Sequence, residues 1–321
     1  MMMFANGWPL GNLSALRDVD QRWLKKLQSD SDGRLQVAYL DVAGALDPRT
    51  GGVAGFSSWD DERACTDMFW GTSDMPYADL PIQRALRWYV FGTDIVGALR
   101  ASNRLEQEFP EIEAEFTKLN IKRLCGFAGV GVNIQTREIP VRTLADLAGL
   151  NLSYTGTSYE VFERLGAVEV EVHQGEEYSA VADRRADGTL GYTEFLLDFP
   201  DSEVVRYTTL LNIPFPSHDF YGMNLSRWNS LPKELQAVFE ECAEWFYDAM
   251  TDAQLRLTRA AADRAVAAGH EFIDLPPADQ DRLFELMGEV ARRKAAQLDA
   301  DGLPGTRILR RARQLIETAE I

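Results

Sequence analysis

PVRTLADLAGLNLSYTGTSYEVFERLGAVEVEVHQGEEYSAVADRRADGTLGYT, Pro140–Thr193, carries the clearest run of alternating strand and helix signals in the chain. Thr143 and Asp146 form a T-x-x-D start of capping-box type, with Asp in place of the usual Glu or Gln. Gly149 marks a C-terminal stop. LNLSY then reads as a strand, TSYEVFERLG as a helix and VEVEVH as an alternating strand. GEEYSAVADRR continues as a helix and GTLGYT as a strand. The order β-α-β-α-β predicts a parallel sheet with right-handed crossovers. Such sheets offer ligands the carboxyl ends of their strands, where helix N-termini also point. Ser153–Ser158 and Gly191–Glu194 lie at such ends.

Upstream, Leu16, Val19, Trp23, Leu24 and Leu27 recur at helical steps behind Ser14, and Gly33 ends that helix. RLQVAYL reads as a strand, 47–58 as a loop, and Trp59–Phe69 as helical. GTSDMPYADLP offers a short strand and a turn, and a further helical region runs through Leu99–Leu119. IKRLCGFAGVGVNIQTREIP has no helical period and reads as one long strand. VVRYTTLLNIPF is a second. A helix from about Ser230 to Gly269 follows, with Leu235, Val238, Phe239, Cys242, Phe246 and Met250 as its apolar stripe. Its length, roughly 57 Å at 1.5 Å per residue, exceeds one small lobe.

Two long strands and one long helix that each carry the chain between lobes predict a hinged α/β architecture of two lobes. Each lobe is expected to be a mixed sheet flanked by helices. Residues 1–123 with about 214–252 make lobe I and 124–213 with about 253–321 make lobe II, a ligand cleft lying between them.

The 321 residues carry a net charge of −17, which repels nucleic-acid phosphate and anionic lipid alike. No apolar run approaches the roughly 18 residues of a membrane helix, so no direct membrane insertion is expected. MMMFANGW lacks the basic start and apolar core of an export signal, so the chain reads as cytosolic or as a mature exported protein without its leader. Cys65, Cys125 and Cys242 form no CxxC pair and read as buried or unpaired thiols, one disulfide plus a free thiol being the alternative.

Catalytic signatures are missing. GHEFID has Asp274 where HExxH needs a second histidine, and His173 and His270 read as surface or cap residues. There is no nucleophile elbow, no phosphate loop after a strand, and no cofactor fingerprint. GFAGVGVN is glycine-rich but extended. Two strands feeding a cleft without a catalytic set point to a binder: no enzyme, no cofactor, no metal.

PVRTLADLAGLNL resembles the P-V-x-T-x-x-D-L-x-G-L-K segment of the solute-binding subunits of TRAP transporters, the DctP-like family. GRLQVAYLDVAGAL, FERLGAVEVEVHQGEEYSAVADRRADG and NLSRWNSLPKELQAVF are similar to other family segments in the same order, so the resemblance covers nearly the whole chain. It implies a periplasmic subunit that captures a small solute by hinge closure and passes it to TRAP membrane permease subunits driven by a sodium gradient.

The chain departs from the family where an arginine usually grips the ligand carboxylate. Ser153 occupies that position. Asn133 stands where a second basic residue is common, and the family's residues after the D-G pair are replaced around Gly191 and Tyr192. Strand ends and matching positions give the candidate lining: Trp8, Trp70, Ser73, Asp74, Tyr77, Asn133, Ser153, Tyr154, Tyr159, Tyr192, Glu194, Phe215 and His218. Trp70 and Phe215 read as core before cleft, Asp74 equally as a turn residue and Glu194 also as a cap or surface charge. Ser153 and Tyr154 head the set. Three readings follow. The first is a small polar or organic-acid solute held without the arginine, by hydroxyls and a helix N-terminus. The second is an ethanolamine- or choline-like cation in an aromatic and acidic cage. The third is a cytosolic α/β enzyme with an unrecognised site. A sensor subunit of the same fold is compatible with the binding chemistry.

Overall fold

The computed structural model describes residues 2–6, 14–41, 66–72, 80–89, 95–154, 160–172, 176–197 and 204–318. The chain divides into two units. Unit 1 is Met1–Arg84, Glu106–Ala128 and Ser217–Gln254; unit 2 is Ala85–Leu105, Gly129–Pro216 and Leu255–Ile321.

In unit 1, strands β1 (Met2–Asn6) and β2 (Val37–Asp41) pair in parallel, β1 pairs in parallel with β3 (Met68–Thr72), and β3 runs antiparallel to the second half of β8 (Tyr207–Asn224). Helix α1 (Ser14–Asp30) turns its stripe inward, with Leu16, Val19, Trp23 and Leu27 buried. Trp23 stacks on Tyr221 at 5.6 Å and meets Phe246 of α8 (Lys233–Ala267) at 5.2 Å. The Tyr221 hydroxyl donates to Asp20 at 2.5 Å, giving that buried phenol its partner. The reading of Trp59–Phe69 as helix is corrected at its end: Met68 and Phe69 are strand, and 59–65 lie outside the described residues. A short apolar run fits either element, and ladder bonds to β1 and β8 decide for strand.

Helix α2 (Pro81–Tyr89) starts on a proline, and the buried Glu115 carboxylate accepts the N–H groups of Ile82 (2.7 Å) and Gln83 (3.2 Å). The helical region read over Leu99–Leu119 holds two helices, α3 (Ile95–Glu108) and α4 (Pro110–Lys118). Pro110 forces Phe109 into extended backbone, φ −119° and ψ 94°.

Unit 2 holds the β-α-β-α-β segment. Strand β5 (Asn151–Tyr154) pairs in parallel with β6 (Val168–Glu171) and β7 (Gly188–Tyr192), and β7 lies antiparallel to β4 (Ile121–Thr136). Helices α5 (Glu160–Arg164) and α6 (Glu177–Ala182) are the crossovers. Strand β9 (Glu271–Asp274) pairs in parallel with the start of β8. Helices α9 (Pro277–Ala300) and α10 (Gly305–Thr318) complete the unit.

The turn before β5 is a single turn of 3-10 helix, Leu144–Leu147, held as its sequence predicts. The Asp146 carboxylate accepts the main-chain N–H groups of Arg142 (2.9 Å) and Thr143 (2.8 Å), and these bonds hold its pKa down. Gly149 follows at φ +78°, where a glycine costs least.

Strands β4 and β8 and helix α8 each run through a unit boundary. At 35 residues α8 is about 52 Å long. Each unit carries a mixed sheet flanked by helices, so the two-lobed binding-protein fold with two crossover strands and a spanning helix is the observed architecture. Among the described residues no helix is long and apolar enough to cross a membrane.

Candidate functional site

The sheet of unit 2 presents two chemically different faces. Strand alternation sends Asn133 and Gln135 of β4, Ser153 of β5 and Thr189 of β7 to one of them. There Tyr178 of α6 donates its hydroxyl to Gln135 Oε1, and Gln135 Nε2 donates to the Tyr192 carbonyl at 3.2 Å. Asn133 Nδ2 reaches Thr193 Oγ1 at 3.2 Å, while its Oδ1 accepts the N–H groups of Leu211 (2.9 Å) and Asn212 (3.0 Å). Tyr178, Ala180, Val181, Ala186 and Val205 form the core over this face.

Ser153 is 0% exposed. Its hydroxyl donates to the Glu177 carbonyl at 2.9 Å, with the Gly188 carbonyl at 3.3 Å, and its own carbonyl accepts from Thr189 Oγ1 at 2.9 Å. A hydroxyl has one proton to give. As placed, that proton is committed inside the unit.

The opposite face is apolar. A cavity of about 30 Å³ opens there, lined by Val132 of β4, Val161 and Phe162 of α5, Leu190 of β7, Ile213 of β8 and Met287 of α9. Two residues of α2 complete the wall, Arg87 and Trp88, both buried, Arg87 at 3% exposure. Lys294 of α9 is near enough to Arg87 to feel it. Burial chiefly lowers the Lys294 pKa; Glu160 opposes this, and Arg293 and Arg87 add repulsion. Glu160 itself is ion-paired with Arg293.

The sequence-derived residues fall as follows. Asn133, Ser153, Tyr154, Tyr192 and Glu194 all lie in unit 2. Tyr154 is buried, and Tyr192 is half-buried, its ring edge-on to Phe195 at 5.1 Å. The Tyr192 ring lies over Gly129, where an added Cβ would sit 2.2 Å from it. Glu194 is 4% exposed and accepts from Thr258 of α8 at 3.0 Å; burial pushes its pKa up to about 7. Trp70 lies in unit 1, buried on β3 opposite Tyr221. Trp8, Ser73, Asp74, Tyr77 and Tyr159 lie outside the described residues, as do the side chains of Phe215 and His218 on β8.

His270, read as a surface or cap residue, is a buried cap. Gly269 at φ +87° and the His270 N–H to the Ala265 carbonyl (3.0 Å) close α8 in a Schellman turn. Its ring sits between Thr208 Oγ1 (2.7 Å) and the Val205 carbonyl (3.2 Å), and burial lowers its pKa. Cys125 and Cys242 are free and buried, and Cys65 lies outside the described residues. Among the described residues no cluster of three or more His, Cys, Asp or Glu is placed to hold a metal. The sequence reading did not single out Arg87 and Trp88, which line the cavity. Their one signal is a cation set between Leu86 and Trp88 in PIQRALRWY.

This fold is that of an α/β solute-binding protein, and solved structures share it over the whole chain. A TRAP periplasmic solute-binding protein from Desulfovibrio salexigens matches with a TM-score of 0.79 at 23% identity, over 99% of this chain and 96% of that one. A marine-metagenome TRAP solute-binding protein specific for aromatic acid ligands, in complex with metahydroxyphenylacetate, matches with 0.80 at 17% identity over 100% of both chains. A monocarboxylate 2-oxoacid-binding periplasmic protein of Nostoc sp. (strain PCC 7120) is 28% identical over 167 residues, 49% of this chain; the match spans only 44% of that relative's length. The model of DctP, bacterial extracellular solute-binding protein family 7, matches residues 95–298, and the chain belongs to that family.

Proposed function

We propose that this protein is the extracytoplasmic solute-binding subunit of a TRAP-type secondary transporter. It takes up a small organic acid, closes on it, and delivers it to membrane permease subunits that draw on a sodium gradient. The observation that carries this reading is the family match over 95–298 on a two-lobed fold. That family binds solutes, and no turnover is proposed. A periplasmic location follows from the same reading. The relatives' printed ligands, a 2-oxoacid and an aromatic acid, support an acid as cargo. Tyr154, Tyr192 and Glu194 remain the proposed lining among the described strand-end residues.

A thermal-shift screen over organic acids, amines and polyols tests it. A bound acid at a hundred times its Kd should stabilise the protein by about 2.7 kcal/mol. A response to ethanolamine or choline with none to any acid would overturn the organic-acid reading in favour of the cation cage. Uptake of the same acid by cells should fall when the gene is removed and when sodium is withdrawn.

A further inference from the structure

The cavity of unit 2 lies on the face of the sheet that carries the strand-end tyrosines. Val132 of β4 stands opposite Tyr192 of β7, and alternation puts Leu190 on the same face. Ser153 pairs with Thr189 on the other face, so Tyr154 of β5 also belongs to the cavity side. Val132, Leu190, Phe162 and Met287 give the wall no hydrogen-bond donor. Trp88 of α2 does: it lines the cavity and is 4% exposed. Its indole nitrogen can only donate. That N–H has no hydrogen-bond partner among the described residues. Arg87, on the same wall, already has a partner within the chain. A buried donor left unpaired carries its full desolvation penalty, so an acceptor brought to it gains more than the same oxygen would at the surface. The volume of about 30 Å³ is roughly that of one water or one methyl group.

We propose that Trp88 is a specificity-determining residue of the solute site: its indole N–H donates to one uncharged oxygen of the cargo, and the cavity takes the methyl-sized end beside that oxygen. The inference rests on the solute-binding reading and narrows its ligand to acids with a short acyl end, a methyl on a carbonyl. The carboxylate stays towards the strand ends, on the side of Tyr154 and Tyr192. The wall makes two separate demands. The indole asks for an acceptor, and a CH₂ in place of the carbonyl leaves it unpaired. A hydroxyl would accept as well, but it brings a proton for which the apolar wall has no acceptor. The cavity asks for a size. An end branched beyond one methyl must push against Leu190 and Met287 in a packed interior.

Titration calorimetry on the full chain with pyruvate, propionate and 2-oxoisovalerate tests this. Propionate differs from pyruvate in carrying CH₂ for the carbonyl, and 2-oxoisovalerate differs in its branched end. The wild type should bind pyruvate about tenfold more tightly than either. Trp88→Phe, which keeps a ring on the wall and removes the N–H, should weaken pyruvate about tenfold and change propionate by less than about threefold. Val132→Ile, which adds one methylene to the wall, should weaken pyruvate by about tenfold or more while the protein stays folded. In the wild type the Trp88 indole proton resonance should move downfield with pyruvate and stay with propionate, which decides the donor if Trp88→Phe does not fold. Equal losses of pyruvate and propionate in Trp88→Phe, or no loss of either, overturn the donor. Unchanged pyruvate binding in Val132→Ile overturns the cavity. A wild type that prefers propionate or 2-oxoisovalerate overturns the ligand class. In each of these cases the solute-binding reading stands. A wild type that binds none of the three overturns the inference, and one that also responds to nothing in the thermal-shift screen takes the solute-binding reading with it.

Discussion

The two faces of the unit 2 sheet are built from the same strands and do opposite things with polar groups. Under α6, Asn133, Gln135, Ser153, Thr189 and Tyr178 are buried and hydrogen-bonded to one another or to main chain. Under α5 and α9, Val132, Leu190, Phe162 and Met287 surround one buried arginine. A satisfied polar network rigidifies and resists substitution. The other face leaves a small apolar void unfilled. Polar residues at strand ends are therefore not evidence of a ligand site until the destination of their protons is known.

The largest test of that contrast is Leu190→Ala. It deletes buried methyl groups from a wall that already bounds a cavity, so the void grows rather than collapses. A loss of about 3 kcal/mol is expected, read as a lower denaturant midpoint at unchanged slope. A loss below about 1 kcal/mol would mean that the apolar face is not packed as described.

Gln135→Leu probes the opposite face and should cost about 2 kcal/mol. It keeps the volume but removes the buried bonds that Gln135 makes to the Tyr178 hydroxyl and the Tyr192 carbonyl. A loss below about 0.5 kcal/mol would show that the bonds of Gln135 contribute little to the fold.

Much of this layout was legible in the sequence. Thr143 and Asp146, Gly149 and the alternation of NLSY and VEVE fixed the parallel segment, because those signals are local: a cap, a positive φ, a period of two. Met68–Thr72 was not legible as strand, since only its ladder bonds to β1 and β8 distinguish it from a helix end. The candidate site was read less well for a related reason. Ser153 was placed correctly at a strand end, but its partners, Glu177 and Gly188, lie 24 and 35 residues away. Arg87 sits on a helix whose pattern shows nothing unusual. The residues that share the cavity wall with it, Val132, Leu190 and Met287, come from distant elements.

Glu194 offers the finest test, because it follows β7 directly and belongs to neither pattern. Its carboxyl is buried with one hydroxyl donor, Thr258, and burial raises its pKa from the usual carboxylate range to about 7. The folded protein thus holds a proton that the unfolded chain has released by about pH 5. Its stabilising effect is complete below the unfolded value, declines as pH rises through about 7, and is level above that. Between pH 5.5 and 7.5 the wild type should lose on the order of 1–2 kcal/mol on this account. Glu194→Gln, which can still accept from Thr258, should flatten that slope and be more stable than the wild type at pH 8. His270, whose pKa burial lowers, contributes the reverse slope below pH 6.5, so the comparison between variant and wild type, rather than the raw curve, isolates Glu194. Equal slopes for the two proteins would show that the carboxyl is ionised in the fold at pH 5.5. In that case the end of β7 would carry a buried negative charge.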